Sequence, residues 1–363
     1  MTADAKISAT RLDKTTSFFE FWPAWIMYFP VGLQWIILSI RYRSITLPFL
    51  ANPNLRLSGM VGVGKSELFT QATGKCADVI MDWMVFASDK DNADPQAITV
   101  IEDAATQGIP LPFVCKPDIG CRGAGVKLIK DKAHLVSVIN SYPSGTALMV
   151  QKLATSSDEV GIFYVKHPHQ DMGEIASITI KTRPHVVGDG TSTLGDLIQQ
   201  NPRANELLHQ YKARHASAWD SVPAAGERVG LVFSASHSKG CIFTDGRHLI
   251  TPELTAAIED IMQGLPDFHY GRLDVKYPDI NALKQGQNLE VVEVNGASAE
   301  AAHIWDKDTK FLDAIKTLMW QYRTLFQIGA YHRSNGRKAP SLKAFIAGVM
   351  REKGLTKYYP YTD

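Results

Sequence analysis

The sequence predicts a mixed α/β chain, more narrowly α+β, built as two lobes of helix and sheet behind a short atypical N-terminal region. Three observations predict it. With 363 residues the chain exceeds what one core fills, because single cores stop growing near roughly 250–300 residues. Residues 113–131 and 147–165 each read as strand, Gly-rich or polar connection, strand, the pattern of a hairpin. Two further apolar runs, residues 271–279 and 288–300, add a second pair of strands late in the chain.

Charge and cysteine content narrow the function classes. Lys plus Arg (38) nearly balance Asp plus Glu (37), a net charge of +1. No global field draws nucleic acid, so no nucleic-acid partner is expected and a charged ligand must be met locally. Cys76, Cys115, Cys121 and Cys241 form no CxxC pair, which argues against a zinc knuckle or disulfide scaffold and for a reducing cytoplasm. Asp4, Asp13 and Glu20 precede the first apolar run and Arg41-Tyr42-Arg43 follows it, an order unlike a secretory leader.

That run, residues 21–40, FWPAWIMYFPVGLQWIILSI, carries no charge. About 20 such residues suffice to cross a bilayer as a helix, although Pro23, Pro30 and Gly32 interrupt it. Trp22, Trp25, Tyr28 and Trp35, with Arg41 and Arg43 beyond, suit a headgroup boundary with the downstream domain on the cytoplasmic side. Two readings stand: membrane contact, by spanning or lying in the interface, and burial in protein as a helical hairpin or homodimer contact. The expected localisation is cytoplasmic, with or without association with the cytoplasmic face of the membrane.

Residues 59–66 read GMVGVGKS, a literal GxxxxGKS in which backbone N–H groups would cradle phosphates and Lys65 would reach the β- and γ-oxygens. The motif needs a buried strand before it, whereas NPNLRLS is a turn and a weakly alternating run. The apolar run at residues 79–82 follows too soon for a crossover helix. The expected structure is a Gly-rich turn capping a helix over residues 65–72, the alternative being Lys65 and Ser66 close to substrate.

Three other elements carry chemistry. In FVCKPDIGCRGAGVKLIKD a strand bearing Lys116 leads into a loop with Gly120, Gly123 and Gly125. Glycines let the backbone approach phosphate oxygens while the lysine neutralises nucleotide charge; an ordinary hairpin tip is the alternative. ALMVQKLATSSDEVGIFYV suits a hinge. Backbone groups at Lys152 and Leu153, helped by Gln151, would read an adenine edge, and Glu159 would accept from ribose hydroxyls, unless this too is a plain hairpin. Finally, Asp274 in GRLDVKYPD, with Glu293 and Asn295 two apart in EVVEVN, places hard oxygen donors on sheet faces. Mg²⁺ takes one or two carboxylates while phosphates fill its shell. A solvated sheet face is the alternative, against which the apolar flanks argue.

In this order the motifs resemble the ATP-grasp superfamily, and within it the D-alanine-D-alanine ligase and cyanophycin synthetase branches. The resemblance covers residues 98–323 and implies two α+β lobes sandwiching ATP. It implies two Mg²⁺ ions on Asp274, Glu293 and Asn295, with Mn²⁺ as a substitute, and Arg272 on the transferred phosphoryl group. Lys116 resembles the nucleotide lysine before the flap, and Gln151 stands where the ligases carry a Glu. IKTRPHVVGDGTSTLGDLI, residues 180–198, is similar to a segment of the cyanophycin and glutamate-ligase relatives. It would set Lys181 and Arg183 toward the phosphates, with a GDG turn opening a helix; a plain surface charge is the alternative for Arg183. The family's upstream lysine has only Lys75 and Lys90 as candidates.

The implied activity is ADP-forming: a carboxylate becomes an acyl phosphate and is coupled to an amine, both small molecules. The alternatives are a nucleotide-binding regulatory protein without turnover and an ATP-grasp kinase acting on a non-carboxylate acceptor. The expected division is an N-terminal region (1–95), a lobe with flap and hinge (96–186), a lobe with metal-binding strands (187–330) and a C-terminal helix and tail (331–363). His303, Asp306, His269 and Tyr270 flank the metal strands, as pocket residues or as packing and caps. Residues 342–353 predict an amphipathic helix.

Overall fold

The structure, a computed structural model, describes residues 17, 19, 20, 22–120 and 123–362. Phe21 of the apolar run and Cys121 of the flap lie outside the described residues. The strands are β1 (Trp83–Ala87), β2 (Phe113–Pro117), β3 (Lys127–Ile129), β4 (Ala147–Lys152), β5 (Asp158–Val165), β6 (Glu174–Thr182), β7 (His185–Val187), β8 (Arg228–Gly230), β9 (Ile242–Asp245), β10 (Tyr270–Tyr277) and β11 (Glu290–Asn295). They form a four-stranded sheet in the order β1-β4-β2-β3, a five-stranded sheet β11-β10-β5-β6-β9 and a ribbon β7-β8. Every ladder is antiparallel.

The first sheet is covered by helices Ala93–Thr106 and Lys132–Ser141, whose Ala97, Val100, Leu135 and Val138 pack on Phe113, Cys115, Leu148 and Val150. One face of the second sheet packs on helix Pro252–Gln263, where Leu254, Ile258 and Ile261 meet Ile162, Leu273 and Val275. Central position explains why β5 and β10 are buried along nearly their whole length. The two sheets meet through residues 153–157. The first sheet begins at Trp83, inside the segment expected to be N-terminal, because β1 pairs with β4. The second begins at Asp158, well before residue 187, because β5 pairs with β10. Strand pairing, which a local pattern does not reveal, sets both boundaries.

The N-terminal region is docked on the second lobe. Helix Ala24–Arg41 buries Met27, Val31, Gln34 and Leu38, at helical spacing on one face, against helix Phe311–Ser334. Trp35 meets Phe326 edge-on at 5.3 Å. Asn52, wholly buried, fixes the next segment: its Oδ1 accepts from the backbone N–H of His269 (2.8 Å) and Tyr270 (3.0 Å), and its Nδ2 donates to Tyr270 O (2.8 Å). The chain then crosses β11 so closely that a Cβ on Gly59 would lie 2.9 Å from Gly296 Cα. This crossing delivers residues 60–66 to the interior edge of the sheet.

At the other end, helix Leu342–Thr356 starts at a Ser341 cap whose hydroxyl accepts from Ala344 N–H. The tail behind it returns to the flap. Tyr359 Oη donates to Ile119 O at 2.7 Å, the Thr362 hydroxyl donates to Gly123 O, and Arg214 Nε donates to Thr362 O at 2.9 Å.

Candidate functional site

The register of the second sheet gathers the charged residues. Arg272 lies opposite Asn295 and Asp274 opposite Glu293 across β10 and β11. On the other side Asp274 faces Gly161 and Lys276 faces Glu159 across β5, and Glu159 faces Lys181 across β6. Directly opposed residues share a face and alternate residues repeat it, so all point toward the first sheet. Gly161 lets Arg272 lie close, since a Cβ there would come 3.0 Å from Arg272 Cδ.

These charges form one connected network. Arg272 Nε donates to Asp274 Oδ1 at 2.8 Å and its terminal nitrogen to Oδ2 at 3.2 Å. Lys181 Nζ bridges Asp274 Oδ2 (2.9 Å) and Glu159 Oε1 (2.7 Å). Arg183 and Lys276 approach Glu159 at 3.7 and 3.9 Å. Pairing is what makes burial of such charges tolerable. Burial alone pushes the Asp274 carboxyl up, but Arg272 and Lys181 outweigh it and hold it below the ordinary carboxylate range.

Lys116 reaches across from the first sheet. Its ammonium donates to Gln151 Oε1 at 2.7 Å and to Val292 O, on β11, at 3.1 Å. Burial lowers its pKa to about 8, against the opposing pull of Glu293. On this face Lys65, Lys116, Lys181, Arg183, Arg272 and Lys276 outnumber Glu159, Asp274 and Glu293. Among the described residues, buried polar atoms without a partner cluster here too: Gln151 Nε2, Ser177 Oγ, Thr179 Oγ1, Arg183 Nε and Asn295 Nδ2. Such atoms are rare in a finished interior, and with the surplus positive charge they fit a polyanionic ligand. A cavity of about 460 Å³ opens beside Arg183, between β7 and helix Leu194–Gln200.

The expected residues are not placed alike. Glu159 is held by lysines and arginine, so a ribose would have to compete for it. Lys152 donates its backbone N–H to Asp82 O and its ammonium to Asp82 Oδ2, both at 2.8 Å, which leaves Leu153 as the hinge residue for a ligand edge. Gly123 and Gly125 adopt left-handed φ of 67° and 71°. Gly125 O accepts from Tyr142 Oη at 2.6 Å, whereas Gly120 has room for a side chain. Lys75 pairs with exposed Asp260 and Lys90 sits by Ser144, so neither joins the site. His303 is buried among core residues, and Asp306 caps Asp245 and Asp308 backbone N–H groups at 2.8 Å.

Lys65 does join it. Its helix, Lys65–Phe69, is shorter than expected and follows a 3-10 turn, Arg56–Gly59, rather than a strand, so the GKS segment is not a phosphate-cradling P-loop. Instead it seats on the base of the flap. Asp118 O accepts from Lys65 N–H at 3.0 Å, and the Asp118 carboxylate accepts from Ser66 N–H and Ser66 Oγ, both at 2.8 Å. Lys65 Nζ then lies 3.3 Å from Pro117 O and 3.7 Å from Glu293 Oε1. The one sequence signal for this was the lysine itself. Lys276 joins the site as well, two residues beyond Asp274 on the same strand.

The donor set fits a hard divalent cation. Among the described residues Glu293 has one ion pair, with Lys65 at 3.7 Å; Asp274 is directly opposite Glu293 and Asn295 lies two residues along the same strand, its amide oxygen a hard donor. Among the described residues no three His, Cys, Asp or Glu side chains converge as a self-sufficient cluster; an ion that keeps phosphate ligands does not need one.

No protein-family model matches the sequence. A cyanophycin synthetase from Synechocystis sp. is 26% identical over 223 residues, 56% of this chain. The chain spans only a quarter (25%) of that relative's length. Similar solved structures include a D-alanine-D-alanine ligase from Bacillus anthracis (13% identity, TM-score 0.42, 78% of this chain and 72% of that one). A bifunctional glutathione synthetase from Pasteurella multocida is also similar (15%, 0.34, 71% and 36%), as is a D-cycloserine synthetase (13%, 0.38, 72% and 70%). The chain thus resembles a cyanophycin synthetase over part of its length, and its architecture is α+β.

Proposed function

We propose that the chain is an ATP-dependent carboxylate-amine ligase. The observation that carries this reading is the face between two sheets on which Lys65, Lys116, Lys181 and Arg272 gather about Asp274 and Glu293, with Asn295 beside them and Arg183 on the neighbouring Glu159. Resemblance to a cyanophycin synthetase supports it. The roles follow from position. Leu153 and Gln151 line the adenine end and Glu159 the ribose. Lys116 and the glycines at 120, 123 and 125 hold the phosphates. Glu293, Asn295 and Asp274 would hold Mg²⁺, two ions in the full reading and Mn²⁺ as a substitute, which supplies charge neutralisation on the β- and γ-phosphates.

In the reaction a carboxylate oxygen bonds to the γ-phosphorus as its bond to ADP breaks; an amine nitrogen then attacks the acyl carbon, loses a proton and expels phosphate. Arg272, Lys181 and Arg183 stabilise the charge that develops on the transferred group, as preorganised cations do. The flap excludes water from the acyl phosphate. The cavity beside Arg183 gives an acceptor room.

Release of ADP and phosphate from the full chain, measured against pooled carboxylates and amines with the product weighed, tests this. Turnover should require both partners and fall at least about a hundredfold in Glu293→Gln. Formation of AMP, or a Glu293→Gln enzyme as active as the parent, overturns the mechanism. ADP release with a hydroxyl acceptor alone would make it a kinase, and ATP binding without turnover a regulatory module.

A further inference from the structure

Helix Ala24–Arg41 is, among the described residues, the one helix long and apolar enough to cross a membrane, yet only 22% of it is buried. Its outer face presents Trp25, Phe29, Leu33, Ile36, Ile37 and Ile40, each between 50 and 73% exposed. Their spacing keeps them on one side, opposite the buried Met27, Val31, Gln34 and Leu38. A continuous apolar strip of this size on a soluble surface marks an interaction site.

Three arginines gather at one end of the strip. Arg41 closes the helix, Arg43 follows with a left-handed φ of 51°, and Arg333 Nη1 donates to Tyr42 O at 2.8 Å. No Asp or Glu occurs between Phe21 and Ser66. We infer that this face lies on an anionic lipid surface, apolar side chains in the acyl boundary and arginines at the headgroups. The helix does not span, because both of its ends are tied to the same body. Before it, Arg203 Nη2 donates to Glu20 Oε1 at 2.6 Å; after it, Arg333 holds Tyr42. A spanning helix of 18 residues would separate these ties by about 27 Å across the bilayer.

Other occupants fit less well. A second copy of the chain brings no acid from residues 21–66 to meet the arginines. Residues 1–16, MTADAKISATRLDKTT, hold too few large apolar side chains to cover six.

The full chain, sedimented with phosphatidylcholine vesicles and with vesicles containing phosphatidylglycerol, should pellet with the second and be released by high salt or by carbonate. Arg41→Ser with Arg43→Ser should weaken binding about twenty-five-fold, at roughly fivefold per arginine. Phe29→Ser, Ile36→Ser and Ile37→Ser together should abolish it while the thermal midpoint and ATP turnover stay as in the parent. Glu293→Gln should bind vesicles unchanged, which separates this inference from the catalytic one. Failure to bind anionic vesicles overturns the inference, as does resistance to carbonate, which means spanning. A dimer in solution that the apolar substitutions disperse overturns it in favour of a second copy.

Discussion

Two glycine-rich loops of this chain touch, and only one of them follows a strand. Residues 59–66 match a phosphate-binding motif letter for letter, whereas residues 120–125 match nothing so compact. The first follows a 3-10 turn and ends in a five-residue helix, so its amides face Asp118 rather than an open cradle. The second joins β2 to β3 with Lys116 on the strand before it, aimed across the gap at β11. What separates them is the element behind each loop. A strand fixes where a loop's donors point, and a glycine pattern does not.

The contrast breaks first at the two lysines' neighbours. Lys116→Ala should lower kcat/KM for ATP by about 10²–10³-fold, the cost of removing one preorganised donor; a loss below tenfold would show that the flap lysine is not the phosphate cation. Next comes the clamp between the loops. Asp118→Ala leaves Ser66 N–H and Ser66 Oγ without their acceptor and should cost about 2 kcal/mol, seen as a Tm lower by roughly 2–3 °C. An unchanged Tm would mean that the loops are not coupled.

The pH profile sharpens the assignment. Burial lowers Lys116 to about 8, so its charged form, the one that binds phosphate, is lost as pH rises through that value. kcat/KM for ATP should therefore fall about tenfold per pH unit above it, since this parameter reports the free enzyme. Lys116→Arg should remove that limb; its persistence in the arginine variant would assign it elsewhere. The smallest effect belongs to the upstream lysines. Lys65→Ala should cost about tenfold in turnover through Glu293 and the flap base. Lys75→Ala, which loses only an exposed pair with Asp260, should change stability by less than about 1 kcal/mol and activity not at all. Equal effects of the two would undo the placement of Lys65.

Much of the site was legible because strand alternation and local motif agree. Period two alone puts Glu293 with Asn295 and Arg272 with Asp274, and the glycine loop after Lys116 is contiguous in sequence. Less legible was how these groups are already engaged. Lys181 bridges Asp274 and Glu159, and that bridge depends on β5 lying between β6 and β10. Lys65, discounted on its context, reaches Glu293 because Asn52 and the close crossing at Gly59 and Gly296 carry its segment there. The tail's hold on the flap through Tyr359 and Thr362 left no signal at all.

The sequence by itself determined which residues share the strand faces of the candidate site, since residue type and short-range period are enough to place carboxylates, an amide and a lysine there. It also determined that the N-terminal run is uncharged throughout. Only the tertiary structure decided that one side of that run is covered by helix Phe311–Ser334 while the other stays open. Likewise, only the fold decided that the GKS lysine serves the flap instead of a cradle of its own. Contacts between segments far apart in the chain depend on how whole elements pack, and no local pattern encodes that.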